Sequence, residues 1–185
     1  NPSTPYAVSR AAGDMSLKTF VDNYNFPAVS TRAANVYGVG QQLYRIIPRT
    51  IFYIKKRKKL QLHGGGYSER SFIHIKDVAD ATLKIALDGV IGESYHISTK
   101  STITIRDLVS LVCNKMEVDF SDNVDIVGER MGKDAAYFLD SNKIRETLGW
   151  EENISLEQGI EETIDWVNSN MQLLEQETDY YIHKP

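Results

Sequence analysis

The chain has 185 residues, of which 42% are hydrophobic and 25% charged, with a formal net charge of −4. That length can bury a sizeable single core, and the composition is that of an ordinary globular protein. The acidic balance gives no general case for nucleic-acid binding, no apolar run reaches membrane-spanning length, and cytoplasm is the expected location.

In chain order, Pro2-Ser3-Thr4-Pro5 caps and starts a helix running to about Tyr24, with Pro5 suited to a first helical position. Tyr6 and Arg10 stand four apart and so share one face of it. A cation beside a phenol favours phenolate, drawing a pKa of about 10 toward working range. Such a pair suits proton transfer at a hydroxyl or carbonyl, although the spacing alone is common on helix surfaces. Phe26 to Arg32 reads as a short buried strand and Asn35-Val36-Tyr37-Gly38 as the loop leaving it. Leu43 to about Lys58 is expected as a helix and Leu60 to His63 as a strand.

Phe72 to Ile75 follows as a strand, then a helix over Asp77 to Leu87 with Asp77 at its start. Ser94 to Ile97 is a further strand, and Thr104 to about Met116 a helix burying Ile105, Leu108, Val109 and Val112. Ser141 to Leu148 reads as a helix stopped by Gly149. Ser155-Leu156-Glu157-Gln158 matches a capping box opening the last long helix, and the tail after Leu174 carries no structural signal. The run Lys55-Lys56-Arg57-Lys58-Lys59 reads as a solvated helix end, where the helix dipole favours cations. The lone Cys113, between apolar neighbours, is expected in the core of a protein from a reducing compartment. The four histidines show no metal-ligand spacing with one another or with Cys113, so no metal is implied.

Taken together, several segments form a colinear set. They are Tyr6-Ala7-Val8-Ser9-Arg10, Asn35-Val36-Tyr37-Gly38, Ile46-Ile47-Pro48, Glu69-Arg70-Ser71-Phe72, Lys76-Asp77-Val78-Ala79, Arg130-Met131-Gly132-Lys133-Asp134 and Leu148-Gly149-Trp150. In this order the chain resembles the extended short-chain dehydrogenase/reductases acting on nucleotide sugars, above all the dTDP-glucose 4,6-dehydratases. The resemblance implies an α/β fold: the C-terminal part of a Rossmann-type parallel sheet plus a smaller α+β substrate-binding lobe. It divides the chain into residues 1–36 and 71–97, the remainder of the NAD-binding domain, and residues 37–70 and 98–185, the nucleotide-sugar lobe. Family members begin with a Gly-x-x-Gly-x-x-Gly turn that brings dinucleotide pyrophosphate to a helix N-terminus. That fingerprint is missing here, so the chain is expected to be part of a longer protein and inactive alone.

The resemblance also assigns roles. Tyr6 is the general base and Arg10, where the family carries lysine, its cation; both also hold the NAD cofactor. Asn35 contacts the sugar or its phosphate, Arg70 clamps the diphosphate, and Arg45 and Arg130 reach phosphate or base. A guanidinium fork matches two phosphate oxygens, so arginine suits this work. Met131 stands where the family usually has proline. The implied reaction is NAD-dependent modification of a nucleotide sugar by 4,6-dehydration through a 4-keto intermediate, with the elimination acid and base preceding the tyrosine helix. A 4-epimerase or decarboxylase would use the same pair, and a relic that only binds stays open. The short Val39 to Pro48 loop favours the dehydratase. The expected partners are a nucleotide-sugar substrate and a second copy docked through the Tyr6 helix, with neither nucleic acid nor membrane.

Overall fold

Parallel strand pairing organises the chain. The computed structural model describes residues 2, 4–129, 136 and 138–181. Helix α1 spans Pro5–Tyr24; the Thr4 hydroxyl accepts from the Ala7 amide, and Asn25 ends the helix in the left-handed region at φ 50°. Strand β1 is Ser30–Ala33 and β2 is Asn35–Tyr37. Helix α2 (Ile46–Lys55) and strand β3 (Leu60–His63) come next, then a tight turn at Gly64–Gly66. Strands β4 (Glu69–Arg70) and β5 (Phe72–His74) lead into α3 (Ile75–Asp88). Beyond lie β6 (Ser94–Ile97), β7 (Ile103–Thr104), α4 (Ile105–Lys115), α5 (Phe120–Asn123) and β8 (Val124–Val127). Helices α6 (Asn142–Leu148), α7 (Leu156–Ser169) and α8 (Met171–Leu174) complete the described elements.

Strands β1 and β6, β2 and β5, and β3 and β8 pair in parallel, while β4 and β7 pair antiparallel. Parallel pairs need long crossovers, and helices supply them. One apolar cluster, with Ile73, Ala81, Ile85, Tyr95 and Ile97, lies between β5, β6 and α3 and takes in Ile144 and Trp150 from the α6 region. A second joins Ile47, Ile51 and Phe52 of α2 to Leu108 and Val112 of α4 and Ile160 and Val167 of α7. A third holds β3 and β8 against α4 around Leu60, Leu62, Val109 and the buried Cys113, whose thiol pKa burial pushes up.

Four boundaries differ from the sequence expectation, each for a physical reason. The strand expected from Phe26 starts at Ser30 and is only half-buried. Pro27 has no amide to donate, and Phe26 instead packs its ring 6.3 Å from Phe20 below the end of α1. Asn35 opens strand β2 rather than a loop, because its register partner Phe72 lies far along the chain. Helix α2 is shorter than expected: Pro48 is tolerated within its first turn, and Arg57, at φ 53°, turns the chain away after Lys55. Asp77 does not cap α3. His74 does, accepting from the Lys76 amide, and Asp77 is spent elsewhere.

Candidate functional site

A cleft of about 1320 Å³ opens where β2 ends. Open α/β sheets place ligands beyond the carboxyl ends of their strands, and here Gly38, Val39 and Gly40 continue β2 along the cleft wall. A glycine is required at position 38, because at φ 150° a Cβ would meet Ile75 Cγ2 at 2.6 Å and His74 Nε2 at 3.2 Å. Gln41 Nε2 donates to the Val36 carbonyl at 2.7 Å and pins the loop back onto the strand.

Four of the residues singled out from sequence line this cleft: Tyr6, Asn35, Arg45 and Arg70. Tyr6 comes from the first turn of α1 and is 75% exposed. Arg10, one turn further on, is exposed and is not among the cleft-lining residues. Asn35 ties two strands together, its backbone amide and its Nδ2 both donating to the Ser71 carbonyl, at 3.1 and 3.0 Å. Arg70 is half-buried on β4, and its Nη1 donates to the Glu69 carbonyl at 2.6 Å. Arg45 precedes α2 with its guanidinium 5.4 Å from the Tyr44 ring. Arg130 lies outside the described residues.

The structure adds residues that sequence reasoning missed. Arg49 lines the cleft one helical turn beyond Arg45, a spacing that could have flagged it. Its Nη2 donates to the Tyr53 hydroxyl at 3.0 Å, and its guanidinium carbon lies 5.0 Å from that ring. Its buried Nε has no hydrogen-bond partner among the described residues. Tyr180 and Tyr181 also line the cleft, and no local signal places them there.

Beneath the cleft wall sits a buried polar cluster. The Tyr37 hydroxyl donates toward the Ser155 and Leu156 carbonyls, each at 3.4 Å. Burial, and then the Asp77, Glu157 and Glu162 charges, push its pKa upward, so the phenol stays neutral. His74 is 1% exposed, edge-on to Tyr37 with ring centroids 5.4 Å apart. Its Nε2 is 3.2 Å from Glu162 Oε2, within ion-pair range but out of hydrogen-bond alignment. Lys76 pairs with the other Glu162 oxygen. The buried Asp77 carboxylate accepts from the Asn153 and Ile154 amides at 3.0 and 3.2 Å, fixing the segment that enters α7. Among the described residues no group of three or more His, Cys, Asp or Glu is placed to hold a metal, and no helix is long and apolar enough to cross a membrane.

A family model described as GDP-mannose 4,6 dehydratase matches residues 1–163. The dTDP-D-glucose 4,6-dehydratase of Mus musculus is 33% identical over 174 residues, covering 91% of this chain and 49% of its own length. A trifunctional UDP-glucose 4,6-dehydratase, epimerase and reductase of Arabidopsis thaliana is 32% identical over 169 residues, 91% of this chain and 25% of that protein. The chain thus spans about half the length of the mouse enzyme and a quarter of the plant one.

Among solved structures, DesIV, a dTDP-glucose 4,6-dehydratase from Streptomyces venezuelae with NAD bound, superposes with a TM-score of 0.90 at 30% identity. That match covers 95% of this chain and 54% of DesIV. The UDP-glucose 4-epimerase of Thermotoga maritima, solved with UDP-glucose, gives a TM-score of 0.86 at 26% identity over 92% of this chain and 55% of the epimerase. The fold is therefore of the Rossmann type, and the chain belongs to the GDP-mannose 4,6 dehydratase family.

Proposed function

We propose that the chain forms the substrate-facing part of an NAD-dependent enzyme that 4,6-dehydrates a nucleotide-activated sugar: C4 is oxidised to a ketone, water leaves across C5 and C6, and hydride returns to C6. The observation that carries this reading is convergence: Tyr6, Asn35, Arg45 and Arg70 come from four separate stretches of sequence and line one cleft. The named activities of the mouse and Streptomyces relatives support it. The resemblance of the fold to a UDP-glucose 4-epimerase supports 4-epimerisation as the second reading.

The residues present fit the reactive end of the cofactor, offering an exposed phenol at the cleft edge with a cation one turn on. NAD, when bound, accepts and returns a hydride. Tyr6 Oη, as phenolate, takes the proton of the sugar 4-hydroxyl and becomes the neutral phenol, and Arg10 is the cation that favours the phenolate beforehand. Arg70 and Arg45 hold the diphosphate, with Arg49 as a further guanidinium on the same wall. The sequence carries no Gly-x-x-Gly-x-x-Gly turn to cradle a pyrophosphate, so the isolated chain is expected to be inactive. The same reading includes a cytoplasmic enzyme and a homodimer formed through α1.

Kinetics of the full-length protein test the assignment. Tyr6→Phe should lower turnover by about 10²–10⁴, the usual worth of a positioned acid–base group. Arg10→Lys should retain activity, Arg10→Met should lose most of it, and the isolated chain should show no turnover. Wild-type turnover in Tyr6→Phe would sink the catalytic reading; wild-type turnover in Arg10→Met would remove only Arg10.

A further inference from the structure

The basic run at the end of α2 has no part in the reaction described above, yet it is not merely solvated. All five residues from Lys55 to Lys59 are exposed, and two of them reach across to a segment far along the chain. Lys56 Nζ lies 2.5 Å from Glu175 Oε1, and Lys58 Nζ lies 3.4 Å from Asp179 Oδ2. Past these anchors the Tyr181 ring meets the Tyr44 ring edge-on, with centroids 5.3 Å apart, and Tyr44 in turn stacks under the Arg45 guanidinium. Tyr180 and Tyr181 are each 59% exposed, and both line the cleft. Leu174 is the last buried residue described; residues 175–181 contribute none.

We propose that residues 175–181 are a strap across the mouth of the cleft, anchored by its acidic side chains to the basic end of α2, and that Tyr180 and Tyr181 retain the nucleotide part of the bound sugar nucleotide. This rests on the nucleotide-sugar reading of the cleft. The chemistry of the attachment is what makes the segment a strap and not a fixed wall. Exposed ion pairs hold weakly and are screened by salt, so each anchor can open and re-form without disturbing the core. The two phenol rings then offer what a nucleotide needs from a closing element: flat apolar faces for a base or ribose, with hydroxyls at the rim. The guanidinium groups of Arg45, Arg49 and Arg70, in the same lining, would meet the phosphates. A strap of this kind slows release of the substrate without touching the reacting carbons.

The test uses the full-length protein, with thymidine diphosphate and uridine diphosphate as probes. Calorimetry should show Tyr181→Ala binding the preferred diphosphate about 2- to 10-fold more weakly, the range of one aromatic contact. Glu175→Lys should weaken binding as well, and Glu175→Lys/Lys56→Glu, which reverses the ion pair, should restore it. Hydrogen exchange adds a readout independent of affinity. Amides of residues 175–181 should exchange faster in Glu175→Lys than in wild type without any nucleotide, return to the wild-type rate in the reversed pair, and slow when nucleotide is added to wild type. High salt should speed exchange in wild type, and should do so less in Glu175→Lys, where only the Lys58–Asp179 anchor is left to screen. Wild-type affinity in both single variants, or exchange through 175–181 indifferent to nucleotide, overturns the strap while leaving the nucleotide-sugar reading intact. Failure of wild type to bind either diphosphate overturns that reading and the strap with it.

Discussion

His74 sits where the cleft wall meets α3, and its two ring nitrogens have different tasks. Nδ1 accepts from the Lys76 amide at 3.4 Å, so the neutral ring carries its proton on Nε2, facing Glu162. Burial lowers the His74 pKa below its ordinary value; Lys76 acts in the same direction, while Glu162 and Asp77 oppose it. The fold therefore favours neutral imidazole. The stability this contributes is complete above about pH 6.5, the unfolded value, and is lost as pH falls through the lowered folded value. Glu162, whose pKa the Lys76 hydrogen bond lowers, loses its contribution only further down, below the ordinary carboxylate range. Denaturant titrations between about pH 7.5 and 5 should show wild-type stability falling with acidity, and His74→Gln should flatten that slope. An unchanged slope in the variant would mean that the titrating group lies elsewhere.

Helix α7 meets this cluster at Leu156, Glu162 and one residue that has no side chain, Gly159. A Cβ at Gly159 would overlap the Tyr37 hydroxyl oxygen, and Tyr37 is 2% exposed with nowhere to retreat. Overpacking costs about 1–3 kcal/mol, against a helix-propensity gain for alanine of at most about 1 kcal/mol. Gly159→Ala should therefore lower the melting temperature, and adding Tyr37→Phe should recover part of the loss because the nearest atom is removed. A melting temperature at or above wild type for Gly159→Ala would show that the helix can shift. What the sequence discloses about elements follows the same division between local and distant causes. The capping box at Ser155 and Gln158, the Gly149 stop and strand Leu60–His63 are complete in local signals, and all three are present as read. Strands β4 and β7 went unread, since two residues have no periodicity of their own, and β8, with two exposed residues at its centre, shows no alternation and exists through its pairing with β3. Asp77 looked like a cap for the same reason, its true partners Asn153 and Ile154 lying 76 and 77 residues away. The cleft divides likewise. Tyr6, Asn35, Arg45 and Arg70 stand in a motif order that can be read, whereas Arg49 depends on the phase of α2 and Tyr180 and Tyr181 on the return path of the tail.

At the scale of the whole molecule, α1 is the element least accounted for by the chain's own core. None of its residues is fully buried; Ala7, Ala11, Leu17 and Val21 are half-buried, and the Arg32–Asp14 ion pair at 2.7 Å helps hold the helix to β1. Val8, Ala12, Met15 and Thr19 are exposed at spacings of four, three and four, which places them in one stripe along the helix. Tyr6, at the start of the same helix, lines the cleft, so an interface through this stripe would also steady the base proposed for the reaction. If α1 dimerises the full-length protein, Met15, now 71% exposed, becomes a buried anchor. Burying such a side chain is worth about 1.5–3 kcal/mol, equivalent to about 10- to 150-fold in the dimer dissociation constant, and a charge placed there would add its desolvation cost. Sedimentation velocity across micromolar concentrations should show wild type as a dimer and Met15→Glu shifted toward monomer, with a matching loss of turnover in dilute assays. A monomeric wild type, or a Met15→Glu variant that sediments as wild type does, would place the interface elsewhere and leave the α1 stripe without this role.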